Sequence, residues 1–160
     1  MDVENRLEVR YRKADMQEPV LISTPEGVDR FIDALLEGAE FHDAAHVLST
    51  ARPRVDIGFP DHELYVGVDG ESSVGVLILS LPETGCLVSV GPPGSNGKNF
   101  YHVAEQPIEL PSDSGIPIPL IREGVKEFLS SGGKLPGCIQ WRPYGVDGEP
   151  VEDDDIWGGN

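Results

Sequence analysis

The chain has 160 residues, 39% of them hydrophobic, and carries 28 Asp and Glu against 12 Lys and Arg, a formal charge of -16 at pH 7. Such a density repels phosphate and the anionic inner face of a membrane, which argues against direct nucleic-acid or membrane binding and predicts a partner of basic character. The size suits one domain able to bury roughly two thirds of its unfolded surface.

Residues 1–13 alternate charge with apolar character and lack the apolar stretch of a cleaved signal peptide. The longest apolar run, residues 74–81, contains Gly75 and Ser80 and is far shorter than a bilayer span, so the chain is expected to be cytoplasmic. Leu7, Val9 and Tyr11 alternate with charges and predict a half-exposed strand over 6–12, with Val20-Leu21-Ile22 as its hairpin partner. Thr24 then offers an N-cap hydroxyl within Ser23-Thr24-Pro25-Glu26, with Pro25 at the first helical position. Val28, Phe31, Ile32, Leu35 and Leu36 follow at helical spacing, and Gly38 is the predicted stop.

Residues 44–49 fit a helical turn or a strand, and the turn-forming Arg52-Pro53 and Phe59-Pro60-Asp61 segments favour the strand. Residues 63–68 and 74–79 flank Asp69-Gly70, which predicts a β-hairpin with a tight turn there. Residues 87–90 and 100–104 are expected to extend this antiparallel meander across a loop at 91–97. Leu120, Ile121, Val125, Phe128 and Leu129 return to helical spacing, Gly132-Gly133 supplies a left-handed stop, and residues 138–141 predict a last strand. The expectation is therefore a single α+β domain over 1–142, with two amphipathic helices packed on one face of a largely antiparallel sheet, and an acidic tail over 143–160.

The histidines are the natural place to seek catalysis or a metal. His42, His46 and His62, with Asp43, Asp61 and Glu63, sketch a small metal-dependent hydrolase. Against it, no Glu follows His42 in the metalloprotease manner, and the segment reads better as a strand than as a helix. Cys86 and Cys138 lie in apolar stretches with no neighbouring His or basic cluster, so both are read as small buried thiols without a disulfide. The glycine-rich 91–97 segment leads into a strand and not a helix, which excludes a phosphate loop. It serves equally well as a plain connection or as a docking loop offering Asn96, Lys98 and Tyr101.

After Arg142 no basic residue remains, and Asp147, Glu149, Glu152, Asp153, Asp154 and Asp155 follow. An acid run is commonly a solvated segment that aids solubility. Here Tyr144, Ile156 and Trp157 bracket it, and aromatic anchors beside charge favour a partner-binding tail. No residue pattern calls for a cofactor.

The run LPSDSGIPIPLIREGVKEFLSSGGKLPGCIQW at 110–141 resembles the C-terminal half of the first-numbered immunity protein family of bacterial polymorphic toxin systems, often found beside deaminase toxins. The likeness extends through STPEGVDRFIDALL at 23–36 and GFPDHELYVGVDGESSVGVL at 58–77. It implies a non-enzymatic cytosolic α+β protein that binds a cognate toxin domain, commonly a zinc-dependent, nucleic-acid-acting deaminase. Where that family commonly has an acid after the Trp, this chain has Arg142 after Trp141, and Trp141 is expected to pack against the sheet.

Overall fold

Alternation of apolar and polar residues sorts the strands into a sheet with two unlike faces. The computed structural model describes residues 5–11, 17–37, 44–52, 54–55, 59–95, 100–103 and 106–144. Among these, β1 (Leu7–Arg10), β2 (Val20–Ile22), β3 (Ala44–Ser49), β6 (Glu63–Asp69), β7 (Val74–Leu81), β8 (Gly85–Ser89) and β12 (Trp141–Pro143) form an antiparallel sheet ordered β12-β8-β7-β6-β3-β1-β2. The two-residue β11 (Ile116–Pro117) also pairs with β7. Small separate ribbons are made by β4 (Arg54–Val55) with β5 (Phe59–Pro60), and by β9 (Phe100–Val103) with β10 (Gln106–Glu109).

Helices α1 (Pro25–Leu36) and α2 (Ile118–Ser130) lie on the same face of the sheet. Residues two apart, such as Leu7 and Val9, Ala45 and Val47, Leu64 and Val66, and Leu77 and Leu79, enter one core with Phe31, Ile32, Val125 and Phe128 of the helices. The expected α+β arrangement is thus the observed one. Thr24 caps α1 through its hydroxyl, which accepts from Gly27 N–H at 3.0 Å, and Pro25 opens the helix. The expected stop at Gly38 lies outside the described residues. At the far end of α2, Gly132 and Gly133 adopt positive φ, and Gly133 N–H donates to the Phe128 carbonyl at 2.9 Å, the left-handed termination the sequence predicts. Arg122 ties the helices together, donating to the Asp29 carboxylate at 3.1 Å and to Asp33 at 2.6 Å.

Several expectations need correction. The β6–β7 hairpin turns through residues 70–73, because Asp69 stays in register with Val74 and its carboxylate accepts from Glu71 N–H and from the Ser72 hydroxyl. The positive φ falls on Ser73 at 59° rather than on Gly70. The strand at residues 100–103 leaves the meander and pairs with β10, an element absent from the sequence reading. The last strand begins at Trp141, not Cys138, since Glu127 of α2 captures Gly137 N–H at 2.7 Å and Cys138 N–H at 3.3 Å and holds that stretch as a loop. Cys138 is consequently exposed and Cys86 half-buried. Trp141 packs against the main core as expected, with its indole N–H donating to the Pro136 carbonyl at 3.1 Å.

Two polar devices hold the layers in place. One edge of β7 is divided between β8, which pairs over residues 78–81, and β11, which pairs at Val74 and Gly75. Leu77 sits at the seam, and its N–H donates to Ser89 Oγ at 3.1 Å while that hydroxyl donates to the Ser114 carbonyl at 2.8 Å. Both serines are fully buried. The second device is a fork: Arg52 donates from Nε and Nη2 to the two oxygens of Asp61 at 3.0 and 3.1 Å, and from Nη1 to the Gly133 carbonyl at 2.9 Å. Asp61 also meets His62 Nδ1 at 2.9 Å, and His62 Nε2 accepts from Ser49 N–H at 2.8 Å. The accepting Nε2 fixes a neutral imidazole with its proton on Nδ1. The Arg52 guanidinium holds the Asp61 carboxyl below the usual carboxylate range.

Ser89→Ala removes the hydroxyl that accepts from the buried Leu77 N–H and is expected to destabilise the fold by on the order of 2 kcal/mol. A melting temperature equal to wild type would refute the seam. For Asp61, the lowered folded-state pKa means its contribution is fully present above the unfolded carboxyl value of about 4 and is lost as pH falls through the folded value. Asp61→Asn is expected to cost about 2 kcal/mol at neutral pH. Denaturant titrations from neutral to acid pH should also show a shallower acid decline in the variant, and parallel declines would exclude the fork as its source.

Candidate partner-binding face

The sheet face turned away from the helices carries the other set of alternating side chains. Register places Arg10, His46, Tyr65, Ile78 and Val88 in one row across β1, β3, β6, β7 and β8, with Glu63, Ser80 and Cys86 in the row beside it. Toward one end the face is apolar and closed: Ala44, Val76, Ile78, Val88, Leu110 and Tyr144 form a second, smaller core with Tyr65 and Cys86 at its border. Toward the other end Glu63 reaches solvent, while Leu48, on the same face, is only 4% exposed.

Glu63 stands in the open part with its side chain 50% exposed. Its Oε2 faces His46 Nε2 at 3.4 Å, an ion-pair separation that leaves that nitrogen without a hydrogen-bond partner among the described residues. Its Oε1 receives the Tyr65 hydroxyl at a long 3.4 Å. The His46 and Tyr65 rings lie 5.2 Å apart at a 40° tilt. His46 is the main cause that holds the Glu63 carboxyl below its usual range, with partial burial opposing it. Burial and the Glu63 charge push the Tyr65 phenol up to about 12. At neutral pH Glu63 is therefore a fixed carboxylate, flanked by the Tyr65 phenol and the His46 ring.

Of the expected partner-binding residues, only Tyr101 and Tyr144 fall within the described part of the chain. Asn96 and Lys98 lie outside the described residues, as do Glu152, Asp153, Asp154, Asp155 and Trp157. Tyr101 belongs to β9, of which the backbone is described. Tyr144 is only 4% exposed, and its ring belongs to the second core. The start of the 91–97 loop is anchored: Gly91 N–H donates to the Asp113 carbonyl at 2.7 Å, and a β-carbon on Gly91 would meet the Gly115 carbonyl at 1.9 Å. Only glycine permits that approach.

His46 and His62 do not converge on a metal. His46 lies on the open face beside Tyr65, whereas His62 is 3% exposed on the helix side, where its ring lies 6.1 Å from Phe128. One ion cannot bind both. His42 is outside the described residues. The His62–Asp61 pair has the look of a catalytic dyad, yet Nε2 is occupied by a backbone N–H and cannot take a proton from a substrate. Sequence reasoning treated His46 and Glu63 as loose metal ligands and overlooked Tyr65; the alternation of β3 and β6, taken together, was the signal that joins all three.

Among the described residues, a cavity of about 480 Å³ opens between Gly91, Pro92, Ile116, Leu120, Cys138 and Gln140. Another of about 360 Å³ lies between β2 and α1. Neither includes the Glu63 group.

The family model described as Immunity protein Imm1 matches residues 16–143, which takes in β2, both helices and every later strand. No curated protein matches the chain. With four fifths of its length covered by that match, the chain belongs to the Imm1 family of immunity proteins.

Proposed function

We propose that this immunity protein acts in the cytoplasm as a non-enzymatic inhibitor, binding a cognate, nucleic-acid-acting toxin domain of the zinc-dependent deaminase kind and denying substrate access to its active groove. Family membership is the observation that carries the reading. Charge supplies the physical route: a toxin that handles DNA or RNA needs a cationic channel, and a protein of formal charge -16 can place carboxylates where phosphates would lie. Blocking of this kind requires complementary shape and field but no chemistry.

In this reading the domain over 1–142 is the rigid body that presents the inhibitory surface. The tail over 143–160 adds Glu152, Asp153, Asp154 and Asp155 for long-range attraction and Trp157 as an apolar anchor. Asn96 and Lys98 contribute from the loop and Tyr101 from β9, while Tyr144 contributes by fixing where the tail departs from the core.

Expression of this chain alone is expected to protect cells from the adjacent toxin domain, and the purified pair should bind more weakly as salt rises. Turnover of a substrate by the purified chain, or failure to protect, would overturn the proposal. Removing residues 147–160 is expected to reduce affinity and flatten the salt dependence, and Trp157→Ala alone should cost on the order of 2 kcal/mol in a calorimetric titration. Unchanged binding by the truncated chain would exclude the tail.

A further inference from the structure

We propose that Glu63, walled by His46 and Tyr65, receives an arginine side chain of the cognate toxin domain, making the open half of the sheet face the specific docking surface. The inference rests on the immunity reading and adds the place and chemistry of recognition.

Among the described residues, several acidic side chains of the fold are already matched by cations. Asp61 is engaged by Arg52, Asp29 by Arg122 and Lys126, and Asp113 by Arg142. Glu63 has no lysine or arginine partner among them; its neighbours are His46 and Tyr65 at 3.4 Å each. A carboxylate with two long, weak contacts keeps lone pairs free on both oxygens and can accept a two-pronged donor. The position is also rigid, because Glu63 and Tyr65 sit on β6 between β3 and β7, and His46 is in register with Tyr65.

Arginine fits this setting better than lysine. Its planar fork matches both carboxylate oxygens and stacks on an aromatic ring, whereas an ammonium is a strongly hydrated point charge. The two rings tilted beside the carboxylate offer such a surface, and the unpaired His46 nitrogen stands next to it. The negative field of the whole chain attracts the cation, and the walled carboxylate selects its shape.

The test uses the full chain and its cognate toxin domain in calorimetric titrations. Glu63→Gln keeps the side chain's shape and is expected to weaken binding about tenfold or more, and Glu63→Lys about a hundredfold or more. Glu123→Lys makes the same charge change on the exposed side of α2 and is expected to alter binding less than about threefold. Replacing the toxin's exposed arginines one at a time by lysine should reveal one whose effect largely disappears in the Glu63→Gln background. Wild-type affinity in both Glu63 variants, equal losses in the Glu63→Lys and Glu123→Lys proteins, or coupling to no arginine would each overturn the inference while leaving the immunity reading intact. Failure of the wild-type chain to bind the toxin would overturn both. Glu63 is half-exposed, so the glutamine variant should melt as wild type does.

Discussion

The divided edge of β7 is the constraint on which the arrangement turns. A strand can give its hydrogen bonds along one edge to two different neighbours only if the residue at the junction is not left with a buried, unpaired amide. Leu77 is that residue, and the Ser89 hydroxyl closes the gap by accepting from it and donating its own O–H to the Ser114 carbonyl. With the seam closed, β8 is free to diverge toward β12 and to start the 91–97 loop. β11 meanwhile takes the vacated edge and delivers the chain directly into α2. The helix then lies so close to the sheet that a β-carbon on Gly75 would meet Ile121 at 2.9 Å.

Features written in short-range chemistry were legible in the sequence. Thr24-Pro25 at the start of α1 and Gly132-Gly133 after α2 act within one turn of the backbone, so residue type alone announces them. The alternation that identified β1, β3, β6 and β7 is equally local. Pairing partners were another matter. Nothing near residues 100–103 says that they will join β10 rather than continue the meander, because strand pairing is decided by what else competes for a free edge, and β11 and β12 take the edges concerned. Cys138 illustrates the same limit: its apolar neighbours suggest a strand, but a carboxylate ten residues earlier in α2 claims the amide of Gly137.

For the site, residue types alone offered only an expected sign. Net charge points to a basic partner, while the side chains that could recognise one are distributed over strands whose relative register the sequence does not reveal. His46 and His62 make the point from the other direction. Sixteen positions apart, they look like members of one cluster, yet one projects onto the open face and the other beneath α2, where Ser49 and Asp61 occupy both ring nitrogens. Parity along a strand, not proximity in sequence, decides which polar residues can meet.

Glu127 has an effect that reaches beyond the loop it pins. The carboxylate that holds the Gly137 and Cys138 amides also lies against the Cys138 sulfur, and desolvation together with that negative neighbour pushes the thiol up to about 11. Thiolate is the species that attacks disulfides and reacts readily with oxidants, so a cysteine on the surface of this protein is kept overwhelmingly in its inert form. Air exposure should therefore join few molecules through this position.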